Sequence, residues 1–112
     1  MGGPESRAGA ALTPARSILF TPAAREELFD ARDWYENESA GLGQQFLAAV
    51  EAAIERICTN PRQFPVVYKN VCRALLRRFP YALMSVIEDD NGLTVIACFH
   101  GSRDPAHWQG RR

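Results

Sequence analysis

A chain of 112 residues, 46% apolar and 23% charged, has material for one modest hydrophobic core, which excludes a second domain of ordinary size. The formal charge of zero conceals a split: residues 1–55 carry four arginines against nine acids, and residues 56–112 carry nine basic residues against four acids. The C-terminal half therefore offers a face to an anionic partner, nucleic acid or an acidic protein segment, unless the two halves neutralise each other across the fold.

Residues 1–16 mix Gly, Ala, Pro and isolated charges without periodicity and read as a disordered leader; residues 17–112 read as a single domain. No apolar stretch is long enough for a signal-peptide core or a membrane span, so no membrane partner is expected. Ser17 to Phe20 is a short β-prone run that stops at Thr21-Pro22, where Thr caps a helix and Pro fits its first turn. From Ala23 to about Ser39, Ala24, Leu28, Ala31 and Tyr35 recur at helical spacing, and both Tyr35 and its neighbour Trp34 are expected in the core. Ala40-Gly41-Leu42-Gly43 interrupts the pattern. A second helix then runs from about Gln44 to Thr59 on Phe46, Leu47, Val50, Ala53, Ile54 and Ile57, and ends at Asn60-Pro61. Two helices on a short glycine-containing link make an antiparallel hairpin, whose apolar face needs a sheet to cover it.

Strands are expected at about Cys72 to Arg78, Tyr81 to Glu88 and Leu93 to His100. With Asn91-Gly92 as a two-residue turn, Leu83 would oppose His100 and Ser85 would oppose Cys98. Side-chain alternation puts Arg73, Leu75 and Arg77 on one side of their strand and Cys72, Ala74 and Leu76 on the core side. The fold class is thus α+β: a short N-terminal strand and a helical hairpin packed on a mainly antiparallel sheet of three to four strands. Cys58, Cys72 and Cys98 lie far apart in apolar runs, with no Cys-x-x-Cys and no paired His spacing, so neither a zinc site nor a disulfide framework is indicated and a reduced cytoplasm fits.

Lys69, Arg73, Arg77, Arg78 and Arg103 are candidates for a patch that clamps phosphates or carboxylates, because guanidinium offers paired donors and stays charged. The competing reading is a solvent-facing strand kept soluble by arginine. His100, at a strand end, has the chemistry of a general acid or base, or else it simply hydrogen-bonds the turn. Arg103-Asp104-Pro105 reads as a chain reversal from which Trp108 folds back, either to cover the core edge or to stack on a partner. Gly-rich phosphate loops, acid/base carboxylate pairs and metal-ligand clusters are absent, and no cofactor is expected.

The order strand, two helices, three-stranded meander, together with NPRQFP before the sheet, LLRRFPYAL, and a last strand running into HGSRDPAHW, resembles the RelE/ParE family of bacterial type II toxins over Ser17 to Arg112. The resemblance implies a small toxin masked by a cognate antitoxin that wraps it with an extended or helical segment. Two activities occur in the family. RelE-like members cut messenger RNA in the ribosome with basic strand residues and a tyrosine near the C-terminus, whereas ParE-like members poison DNA gyrase without hydrolytic chemistry of their own. Matching positions, Arg73 stands for a strand lysine and Arg103 for the arginine after the last strand. Ala82, however, sits where an arginine is expected, and Trp108 sits at about the place of the tyrosine. Tryptophan offers only an N–H donor, so the resemblance is to the ParE-like branch, with binding residues Lys69, Arg73, Arg77, Arg78, Arg103 and Trp108. The alternatives are a metal-free ribosome-dependent RNase acting on mRNA through Arg73, Arg103 and His100, and a non-toxic module that serves only its antitoxin.

Overall fold

The computed structural model describes residues 17–89 and 91–111; the expected disordered leader at 1–16 lies outside them. Strand β1 (Ser17–Phe20) hands over directly to helix α1 (Pro22–Glu38). Thr21 caps that helix, its Oγ1 accepting the Ala24 N–H at 3.1 Å, and Pro22 occupies the first turn. Helix α2 (Leu42–Thr59) follows after a tight link. Gly41 there has φ +90°, the left-handed region that glycine enters without a Cβ penalty. The Glu36 carboxylate of α1 accepts the N–H groups of Gly41 and Gly43, so one helix caps the start of the next. A Cβ on Gly43 would lie 2.9 Å from the Arg32 carbonyl oxygen, so the two helices meet at that glycine.

A single 3₁₀ turn (Pro61–Gln63) leads into β2 (Val66–Tyr68), β3 (Val71–Leu75), β4 (Tyr81–Ile87) and β5 (Gly92–His100), and a four-residue helix α3 (Ala106–Gln109) closes the chain. The sheet has five strands in the order β1-β5-β4-β3-β2, all antiparallel neighbours except β1, which pairs in parallel with β5. The sequence reading counted three to four because Val66–Tyr68, behind Pro65, carries too short a run to announce a strand.

Three expectations need correction. The β4–β5 register pairs Tyr81 with His100 and Leu83 with Cys98, not Leu83 with His100. Gly92 already belongs to β5, where its carbonyl accepts the Glu88 N–H at 2.8 Å, so the reversal is not centred on Asn91-Gly92, and a bulge beyond Met84 shifts the ladder again. β3 ends at Leu75, so Arg77 and Arg78 lie on the turn to β4 instead of in the strand. Trp34 is 58% exposed. It stands one residue, about 100° of helix, off the buried stripe of Ala24, Leu28 and Ala31, and only Tyr35 reaches the aromatic core.

One face of the sheet (Ala74, Leu83, Leu93, Val95, Cys98) packs against the helical hairpin. The other (Val71, Ala82, Met84, Val86, Ile96, Phe99) is covered by Trp108 and Tyr68. Trp108 is 3% exposed and edge-on to both Phe99 and Tyr68, so it closes the core as one reading anticipated.

Candidate functional site

The basic residues divide between two places. Arg73 opposes Met84 in the ladder and so projects from the sheet face turned away from the helices, beside the 59%-exposed Leu75. Lys69 occupies the β2–β3 turn at φ 49°, with its ammonium 5.4 Å from the Tyr68 ring centre. Arg77 and Arg78 form the exposed tip of the β3–β4 turn. Phe79 and Tyr81 anchor that tip. Phe79 lies 4.9 Å from Tyr35 and 5.3 Å from Phe46, while Tyr81 lies 5.3 Å from Phe46, all edge-on. This is the physical content of the Phe-Pro-Tyr sequence: two rings driven into the helical hairpin hold two arginines outward. Arg78 is held at φ 72°, unfavourable for a side chain with a Cβ, and its guanidinium reaches the Gln45 amide oxygen at 3.4 Å.

The second place is a cleft of about 620 Å³ between α1 and the outgoing end of β5. It exists because β1 stops early. The Thr21 N–H still donates to the Val95 carbonyl at 3.0 Å, but the chain then turns into α1 and leaves the edge of β5 beyond Val95 without a strand neighbour. Side chains satisfy that edge instead. Glu27 accepts the Cys98 N–H at 3.1 Å, and Arg111 donates to the Ile96 carbonyl at 2.6 Å. Arg111 also forks onto both Glu27 oxygens, at 3.1 and 2.9 Å, and His107 Nε2 lies 3.4 Å from the same carboxylate. Here the acidic and basic halves of the chain meet. Among the described residues, Arg73, Arg77, Arg78 and Arg103 form no ion pair with an acid of either helix, so direct pairing between the halves is confined to Glu27 with Arg111 and His107.

His100, Ser102, Arg103, Tyr81, Tyr35 and Trp34 line the rest of the cleft. His100 holds the turn, as one reading expected. Its Nδ1 accepts the Ser102 N–H at 3.0 Å with the Ser102 hydroxyl at 2.8 Å, which leaves the proton of a neutral ring on Nε2. Burial raises the Tyr81 phenol above its ordinary range, helped by Tyr35 and Cys98 and opposed by nearby Arg103; burial, then Cys98, raises Tyr35 as well. Both therefore stay protonated near neutrality. Burial, and then Glu27, pushes the Cys98 thiol up to about 12, so it is an inert core group. Trp108, expected as a contact residue, offers almost no surface, and its buried indole N–H has no partner among the described residues.

The structure unites His100 with Arg103 but puts Arg73 on the opposite sheet face. Sequence reasoning missed Glu27, Tyr35 and Tyr81 as site residues. The only signal for them was the helical stripe that carries Glu27 and Tyr35 together, and the pairing of Tyr81 with His100 needed the true register. Among the described residues no helix is long and apolar enough to cross a membrane and no group of His, Cys, Asp and Glu is placed to hold a metal.

A family model described as the ParE toxin of the type II toxin–antitoxin system parDE matches residues 18–105. The fold is similar to a solved chain of a chromosomal ParDE TA system from P. aeruginosa, with a TM-score of 0.58 and 17% identity, covering 77% of this chain and 96% of that one. No curated protein gives a significant match.

Proposed function

The chain belongs to the ParE toxin family of type II toxin–antitoxin systems, and from that premise we propose that it arrests growth in the cytoplasm by binding DNA gyrase until a cognate antitoxin masks it. The observation that carries the binding mode is the division of the basic residues. A metal-free RNase built on Arg73, Arg103 and His100 needs all three around one scissile phosphate, and Arg73 stands on the far face of the sheet from the other two. The tip formed by Arg77 and Arg78, braced by Phe79 and Tyr81, suits recognition of an acidic protein surface or a DNA-bound one.

The test is a supercoiling assay with purified gyrase. Inhibition should appear at stoichiometric excess, weaken when Arg77 and Arg78 are both changed to Gln, and vanish on adding the product of an adjacent antitoxin frame. Normal supercoiling at toxin excess, with induced cells that keep growing, would point instead to a non-toxic module that serves its antitoxin. Codon-positioned cuts in translated messages after induction would point to the ribosome-dependent nuclease.

A further inference from the structure

We propose that the cleft between α1 and the end of β5 binds a phosphate ester carrying a planar base, with the phosphate held by Arg103, His100, Tyr81 and Tyr35 and the base laid on Trp34. This goes beyond the gyrase reading and does not depend on it.

The first ground is donor chemistry. Those four residues line the same cleft and carry N–H or O–H donors, and none has a hydrogen-bond partner for its phenol oxygen, Nε2 or guanidinium among the described residues. His100 is committed as a donor at Nε2 because Ser102 occupies its other nitrogen. The raised phenols are O–H donors, not phenolates, and Arg103 is close enough to Tyr81 to act on it electrostatically. A wall of single donors around one guanidinium fork suits a tetrahedral oxyanion with three acceptor oxygens better than a planar carboxylate.

The second ground is the mouth of the cleft. Trp34 is 58% exposed and edge-on to Tyr35 at 5.1 Å, so a large ring stands at the opening where core packing does not require it. Exposed aromatics next to an anion site are stacking platforms for bases. The acids nearby do not cancel the site. Glu27 is taken up by Arg111 and His107, and exposed Asp30 lies on the α1 wall, where its carboxylate can accept an exocyclic base amine. The volume, about 620 Å³, falls within the range of small-molecule sites.

Titration of the whole chain with 5′-AMP, adenosine, ribose 5-phosphate and inorganic phosphate, followed by tryptophan fluorescence and amide NMR shifts, tests this. Saturable binding of 5′-AMP is expected, with quenching that disappears in Trp34→Phe and shifts clustered on residues 98–103. Adenosine and inorganic phosphate should each bind more weakly. Arg103→Gln should weaken 5′-AMP about tenfold, whereas Arg73→Gln, on the far sheet face, should leave it unchanged. Both substituted residues are exposed, and matching melting curves will show that the variants fold. A parallel arm with a short oligonucleotide, with and without a terminal phosphate, separates a free nucleotide from a strand end as the source of the same group. Absence of saturable binding by every probe overturns the proposal, as does equal weakening by Arg73→Gln and Arg103→Gln. Because gyrase is absent from these titrations, their failure is distinct from failure of the supercoiling assay.

Discussion

Changing Glu27 to Ala should cost more stability than any other single substitution of a charged residue. Its carboxylate accepts three hydrogen bonds, from Cys98 N and both Arg111 terminal nitrogens, at 2.9–3.1 Å, and the paired side chains are only 19% and 25% exposed. Truncation leaves a strand N–H without its acceptor and a guanidinium with only the Ile96 carbonyl, in a mostly buried place. Hydrogen bonds to charged groups contribute about 1.5–3 kcal/mol each, and stranding one buried ion costs about 3–5 kcal/mol. Allowing for the residual exposure, Glu27→Ala should lose about 2–4 kcal/mol, and Glu27→Gln, which keeps one acceptor for Cys98, about 1–2 kcal/mol. Urea unfolding read by circular dichroism gives both values. A double-mutant cycle with Arg111→Met isolates the pair, with an expected coupling of about 1–2 kcal/mol. A loss below about 0.5 kcal/mol for Glu27→Ala, or an unchanged loss when Arg111 is already Met, would refute the view that this pair substitutes for a strand at the edge of β5.

Gly43→Ala should destabilise by about 1–3 kcal/mol through overpacking against the Arg32 carbonyl, while Gly41→Ala costs about 1 kcal/mol through its φ of +90°; thermal melts of the two variants check the order. Arg78→Gly and Arg78→Ala remove the same guanidinium, yet the glycine variant should be about 1 kcal/mol the more stable because φ 72° is no strain for it; equal melting temperatures would sink that reading. The Cys98 thiol is held up to about 12 in the fold against 9.0 for a free thiol, so the unfolded chain ionises first. Its contribution is intact below pH 9 and declines as pH rises toward 12, with Tyr35 and Tyr81 acting in the same direction from about pH 10. Urea midpoints followed upward from pH 8 should fall, and the slope between pH 9 and 10 should flatten in Cys98→Ala.

Local chemistry made much of the fold legible. Thr21-Pro22 marks a helix start because a hydroxyl and a ring with fixed φ serve that position and few others, and Phe46, Val50, Ala53 and Ile57 repeat at a period only a helix satisfies. Trp34 is exposed because its angle to the buried stripe, not its apolar character, decides its surroundings. The hairpin register was missed because Asn91-Gly92 outweighed the acidic residues before it, and because a bulge leaves no mark in a run as uniformly apolar as Val95 to Phe99. The cleft was beyond reach for a different reason. Its walls come from α1, from Pro80-Tyr81 at the start of β4 and from the chain around the end of β5, and they meet only because β1 lies parallel to β5, a pairing between distant segments that no local pattern encodes.

That parallel pairing has a consequence for how the molecule comes into being. During synthesis β1 and both helices emerge first, with their apolar faces prepared and nothing to lay them on, since the strand that pairs with β1 is the last of the five. Loop closure across most of the chain must precede the burial that β1 and β5 share, whereas the helical hairpin and the β3–β4–β5 meander close locally. The cleft therefore arises late, when β5 and the segment bearing Arg111 arrive, whereas the Phe79 and Tyr81 anchors of the arginine tip need only the helical hairpin. A nascent chain that has yet to complete β5 lacks the cleft, so any partner that reads the cleft meets only the finished fold.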